Sequence, residues 1–305
     1  MDGRPSRDGL PISEEMHMLV RWSVAVGLVL LLSVACGGSA AEDEVAASAA
    51  TVTVPQATAT VPQATATVTQ ATATVAPATG TGVWQPPPGA TWQWQLTGET
   101  IDTSFDVAMY DLDLFDADPE LVRSLHDQGR AVVCYLSAGS VEDWRPDAGD
   151  FPASVVGKAY EGWEGERWLD IRQIELLAPI MGQRLDSCKS KGFDAVEPDN
   201  IDAYTNDTGF PLTYEDQLNY NIWLAGEAHA RGLSIGLKNT SEQAEELVTH
   251  FDWALTEGCF VQGWCQDMVL FVDAGKAVFA AEYTDVGADL DEICPEAGGY
   301  ASASS

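Results

Sequence analysis

The 305-residue sequence predicts an α/β fold, a (β/α)8 TIM-type barrel with irregular crossovers. Three observations predict it. Eight strand-like runs recur through residues 84–305, helical patterns fall between several of them, and acidic residues gather where the runs end. A doubly wound open sheet is the alternative. No Gly-rich phosphate loop follows a strand, which disfavours a nucleotide-binding version of it.

The chain begins with a targeting segment, residues 1–35. Arg21 precedes the apolar run WSVAVGLVLLLSVA, Trp22 to Ala35, and Cys36 follows. That run is short for a membrane span and reads as a signal. Small residues before a cysteine, followed by GGSAAEDE, resemble a bacterial lipoprotein signal. Cys36 would then be lipidated, become the mature N-terminus and anchor the protein to the membrane. Ser33 stands where such signals usually carry Leu, so ordinary cleavage nearby is the other route. Either way the expectation is an exported bacterial protein, at the cell surface or secreted. Met16 or Met18 would serve equally as the start.

Residues 36–83 form the second segment. No charged residue occurs from Val45 to Gly98, and a Thr-Ala-Val-Pro-Gln theme repeats within that stretch. Such a Thr/Ala/Pro-rich run cannot bury a core and predicts a disordered tether.

The domain, 84–305, follows. Its strand-like runs are 91–96, 105–115, 131–137, 167–171 (RWLDI), 193–198, 233–239, 251–257 and 277–284. The helical pattern DPELVRSLHDQG stops at Gly129, with Asp116 and Pro119 read as its capping signal. A second, IRQIELLAPIMGQRLDSCKSKG, spaces Ile174, Leu177, Met181, Leu185 and Cys188 at helical intervals. A third starts with Thr213 and Asp216 at capping-box spacing. SEQAEELVTHF and VQGWCQDMVLFVDAG complete the set. The first and third crossovers read as short or irregular.

In such a barrel, functional side chains gather at the C-terminal strand ends. Those ends supply Asp111 and Asp113, Tyr135 and Ser137, Asp170, Glu197, Asp199 and Asn200, Lys238 and Asn239, Glu257, and Glu282 with Tyr283. Trp92, Trp94, Trp144, Trp163 and Trp168 lie near the same loops. Converging acids with aromatic faces suit a sugar site. Glycoside hydrolysis needs one protonated carboxyl for the leaving group and one charged carboxyl for the anomeric centre. Each residue also has a structural reading. Acids at strand ends cap helices, Asp102, Asp106 and Asp194 suit turns or strand entries, and Lys238 suits a salt bridge to Glu197 or Glu257.

Charge and cysteines narrow the class. Against 15 Lys+Arg stand 47 Asp+Glu, a formal net charge of -32. That excludes nucleic acid as a partner, because phosphate binding needs cations. It suits a cationic polymer. Cys259 and Cys265, in CFVQGWC, are expected to pair. Cys134, in an apolar run, is expected to be a buried thiol, and Cys188 and Cys294 either pair or stay free. No metal-ligand spacing is present, no cofactor is implied, and His126 and His229 read as capping or packing residues.

The motifs YDLDLF, VVCYLSAGSVEDWRPDAGDFP, WEGERWLDIR, GFDAVEPDNIDAY, TGFPLT, LSIGLKN and TEGCF resemble glycoside hydrolase family 114, the endo-α-1,4-polygalactosaminidases. The resemblance covers Trp84 to Thr284. It implies a barrel hydrolase cutting internal α-1,4 bonds in galactosamine-containing polysaccharide, a cationic polymer when deacetylated. By the same resemblance Asp199 and Glu257 are the catalytic pair. Asp199 is favoured as nucleophile or base and Glu257 as acid. Asp111, Asp113, Tyr135, Ser137, Asp170, Glu197, Asn200, Lys238, Asn239 and Glu282 would bind the sugar or support the pair. The competing function is a non-catalytic sugar-binding lipoprotein on the same barrel. A metal-dependent deacetylase is disfavoured, because no paired His lies near an Asp at a strand end.

Overall fold

The computed structural model describes residues 83–97 and 100–302. The expected signal segment, the expected lipidation site Cys36 and the expected tether, except for Val83, lie outside the described residues.

Seven strands form one parallel sheet. They are β1 (Trp92–Gln95), β2 (Met109–Asp113), β3 (Ala131–Ser137), β7 (Ala195–Asp199), β8 (Ser234–Lys238), β9 (Trp253–Glu257) and β10 (Val278–Ala281), paired in that order. The sheet curls as a TIM-type barrel does. Trp92 of β1 packs on Phe279 of β10 with ring centroids 5.3 Å apart. Among the described residues no hydrogen-bonded ladder joins those two strands.

Strand alternation produces two cores. One parity, with Trp92, Met109, Val133, Ala195, Trp253, Leu255 and Phe279, fills the concave side. The other parity, with Tyr110, Leu112, Val132, Cys134, Leu136, Val196, Ile235 and Leu237, packs outward against helices. Parallel strands are buried on both faces, which is why these runs are nearly continuous apolar sequence. Gly236 is required on the concave side, since a Cβ there would meet the Trp253 ring at 2.6 Å.

The expected fourth barrel strand is a correction. RWLDI contributes to β6 (Glu166–Leu169), which pairs antiparallel with β4 (Ser140–Glu142) and β5 (Val156–Ala159) in a separate three-stranded sheet. Arg167 of β6 is exposed while its neighbours are buried. That half-solvated alternation fits an antiparallel strand and not the doubly buried environment of a barrel strand.

The helices follow their caps. In α1 (Pro119–Asp127) the cap is Asp118, not Asp116; its carboxylate accepts from the Glu120 and Leu121 N–H groups, and Pro119 starts the first turn. In α2 (Ile174–Lys191), Gly192 ends the helix at φ 98°. The capping box of Thr213 and Asp216 opens α3 (Tyr214–Ala230). The C-terminal patterns are more broken than their periodicity predicts. They give α4 (Ala244–Leu247), α5 (Cys259–Gln262), α6 (Val269–Asp273) and α7 (Leu290–Ser302). His126 and His229, near the ends of α1 and α3, bond Asp194 at 2.9 Å and Asp252 at 2.8 Å.

Cys134 is not a thiol. It is joined to Cys188, tying the outer face of β3 to α2 across 54 residues of chain. Closing a loop of that size stabilises by about 4 kcal/mol in the chain-entropy picture. Cys259 pairs with Cys265 as expected, and no described cysteine is free.

Candidate active site

The concave parity changes character toward the C-terminal strand ends. Above the apolar layer it carries Trp94, Asp111, Tyr135, Glu197, Asp199, Lys238 and Glu257. The centre is the Lys238 ammonium. It contacts Glu197 Oε1 at 2.7 Å, Glu257 Oε2 at 3.1 Å and Asp199 Oδ1 at 3.2 Å. Its Nζ lies 4.8 Å from the Trp94 ring centroid and 5.9 Å from that of Tyr135.

Burial divides the carboxylates into two levels. The Glu197 side chain is 0% exposed, whereas those of Asp199 and Glu257 are 20% and 28% exposed. Asp199 also accepts from the Tyr135 hydroxyl at 2.9 Å. Glu257 accepts from the Tyr283 hydroxyl and from Asn239 Nδ2, while Asn239 Oδ1 receives the Glu257 N–H. Glu197 accepts from Trp94 Nε1 at 3.0 Å.

The titrations follow from this crowding. Burial alone would depress Lys238, but the charges of Asp199, Glu197 and Glu257 outweigh it and raise its pKa well above the usual lysine range. Burial pushes Glu197 up, against the opposing pull of Lys238. Burial, then the Asp199 charge, raises the Tyr135 phenol. Burial, then Glu257, raises Tyr283. These phenols remain donors across the physiological range.

Behind Asp199 lies a buried polar network. Asn200, at φ 62°, donates through Nδ2 to Glu166 Oε1 and Ser137 Oγ at 2.9 Å and to Ser140 Oγ at 3.1 Å. Ser140 also donates to Glu166. Ser137 and Asn200 thus act as scaffold, at 1% and 6% exposure. The Asp199 carbonyl accepts from Ala138 at 2.9 Å and Gly139 at 3.3 Å. A Cβ on Gly139 would sit 1.7 Å from the Asn200 carbonyl oxygen, so only glycine fits there. Burial raises Glu166 to about 7, with the Ser140 bond opposing. Burial and then Asp199 raise Asp202 to about 6.

Other predicted residues stand apart from Lys238. Asp113 forms a two-pronged pair with Arg145, at 2.9 and 2.6 Å, and accepts the Phe115 N–H at 2.7 Å. Asp170 pairs with Arg172. Glu282 accepts the Phe260 N–H at 2.8 Å, at the start of α5. Cys259, Cys265 and Glu282 converge, but the disulfide removes both sulfurs as thiolate ligands. The resemblance assigns Glu282 to the sugar or the pair and leaves Tyr283 without a role. Strand parity runs the other way, since Glu257 and Tyr283 meet. Glu166, Asp202 and Tyr160 were not singled out. Tyr160 is raised by burial and then by the Asp199 charge, and its ring lies 4.3 Å from Trp168.

Solved structures and family profiles sharpen the picture. A crystal structure of Ega3 from Aspergillus fumigatus in complex with galactosamine is 42% identical, covers 67% of this chain and 81% of that one, and superposes with a TM-score of 0.65. The glycoside hydrolase domain of PelA from Pseudomonas aeruginosa is 15% identical, covers 54% of this chain and 65% of that one, with a TM-score of 0.41. No match is found among curated proteins. The profile of glycoside-hydrolase family GH114 matches residues 72–303, most of the chain and all of the site, and the chain belongs to that family.

Proposed function

We propose that this glycoside hydrolase cleaves internal α-1,4 bonds in galactosamine-containing polysaccharide through Asp199 and Glu257. One observation carries the assignment. Of the carboxylates on Lys238, only these two open toward solvent, and both sit on one ammonium at 3.2 and 3.1 Å. Two carboxylates gathered on one ammonium favour the closer retaining spacing of about 5–5.5 Å over the inverting one of about 6.5–9.5 Å, which leaves room for a water. The reading is therefore a retaining mechanism. Glu257 protonates the leaving oxygen as Asp199 attacks the anomeric carbon and the glycosidic bond breaks. Water, deprotonated by Glu257, then displaces Asp199, and the pair returns to its starting state.

The substrate reading draws on the galactosamine held by the Aspergillus relative and on charge. A single buried cation among three carboxylates leaves net negative charge, which favours ammonium sugars. Export, with a lipid anchor at Cys36, is part of the proposal. The two disulfides among the described residues support an oxidising destination.

The test is incubation of the protein with partly deacetylated α-1,4-galactosamine polymer, products being followed by mass spectrometry and their anomeric configuration by NMR. Short oligomers with α configuration are expected from the parent, and none from Asp199→Asn or Glu257→Gln. β products would overturn retention. Tight binding without cleavage would favour the sugar-binding alternative.

A further inference from the structure

We propose that Asp111 holds a proton and donates it in a hydrogen bond to Glu197, acting as the positioning residue that keeps Glu197 anionic beneath Lys238. Asp111 is 0% exposed, and neither of its carboxyl oxygens receives a bond from an N–H or O–H group. Its neighbour is the Glu197 carboxyl, able to share a hydrogen bond with it only when one of the two holds a proton. Strand geometry accounts for the meeting. Asp111 stands in register with Val133, and Val133 with Ala195, two residues before Glu197. A stagger of about one residue per strand, as barrels of this kind require, brings Asp111 level with Glu197 on the concave side.

Two neighbouring carboxylates in a dry interior cannot both be charged without a large penalty, so one proton resides on the pair. The partners decide where. Glu197 is contacted by the Lys238 ammonium at 2.7 Å and the Trp94 N–H at 3.0 Å, both of which favour its charged form. Asp111 has neither, so the proton belongs to Asp111. The groups facing it are Glu197, Lys238 and Asp113. Burial and then the Glu197 charge raise Asp111 well above the carboxylate range, in agreement. Glu197 then has three donors and stays in place, and Lys238 stays between Asp199 and Glu257. Asp111 is therefore assigned a role beneath the sugar rather than against it. The consequence for turnover rests on Asp199 and Glu257 being the pair, but the protonation itself is measurable without substrate.

The test is infrared spectroscopy of the full chain at about pH 8.5, where ordinary carboxyls are ionised, together with kinetics on the polymer. A protonated-carboxyl C=O band is expected in the parent and lost in Asp111→Asn. The asparagine amide donates as the protonated acid does, so this variant should keep at least about tenfold more kcat/KM than Asp111→Leu. Asp111→Leu, which cannot donate, should lower kcat with little change in KM. Absence of the band in the parent overturns the proposal, as does its persistence in Asp111→Asn. So does an Asp111→Asn variant that folds but is as impaired as Asp111→Leu. If the polymer is not cleaved at all, the band still decides, and only the substrate reading fails.

Discussion

Two clusters of buried cation and carboxylate lie near the C-terminal ends of the parallel strands, and they are built differently. In the first, Arg145 grips Asp113 with two donors, at 2.9 and 2.6 Å, and Glu142 with two more, each at 2.9 Å. The guanidinium fork matches each carboxylate and leaves it little freedom. In the second, the Lys238 ammonium, a point charge, serves Glu197, Asp199 and Glu257 together. The acids of the first cluster are almost closed to solvent, at 2% and 6% side-chain exposure, and two of the second are not. A closed, geometrically matched cluster holds loops together. An open, under-neutralised one is primed to act on something that arrives.

The sharpest way to break that contrast is to neutralise the open acids. Asp199→Asn or Glu257→Gln should lower kcat by about 10²–10⁴-fold, as expected for loss of acid/base or nucleophilic groups. The melting temperature should hold or rise, because like charges around Lys238 are relieved. A large fall in stability would show that these acids are structural after all. Next in size is Lys238→Met, which strands three carboxylates at a cation that is 2% exposed. Breaking such buried pairs costs about 3–5 kcal/mol, to be read from denaturant unfolding, and turnover should vanish with it. Asp113→Asn should cost about 1.5–3 kcal/mol, the range for hydrogen bonds to charged groups. The folded fraction should retain its activity, and a matching loss of kcat would merge the two clusters into one functional unit.

The smallest effect concerns Glu166, whose pKa burial raises to about 7. A raised acid contributes stability that is fully present below its unfolded value, and that contribution is lost as pH rises through about 7. The parent should therefore lose a few degrees of melting temperature between about pH 5 and 8 on this account. Glu166→Gln should flatten that slope, and an unchanged slope would remove Glu166 from the account. Asn200, the residue after Asp199, donates to Glu166, so the activity profile of the parent should bend in the same window.

Much of this was legible in the sequence, residue by residue. Lys238 was read as a salt-bridge partner for Glu197 or Glu257, and it contacts both. Asp199 and Glu257 come from the family resemblance, and strand alternation, which directs every second residue inward, accounts for their meeting at Lys238. What escaped has physical reasons. RWLDI reads as a barrel strand from its apolar residues, and the exposure of Arg167 leaves no mark in the sequence. Asp113 and Asp170 shared the strand-end pattern of the site acids, but each has an arginine nearby, and proximity in space decided their fate. Cys134 looked like a buried thiol because its partner is 54 residues away on α2, a separation local patterns do not reach.

The Trp253 ring, accommodated by Gly236, stops the concave side below the charged layer. Trp92 and Phe279 complete the obstruction, with centroids 5.3 and 5.8 Å from neighbours in the same stack. The catalytic basin has a floor and no drain. Whatever enters at the rim cannot pass through the molecule, so it must leave by the way it came.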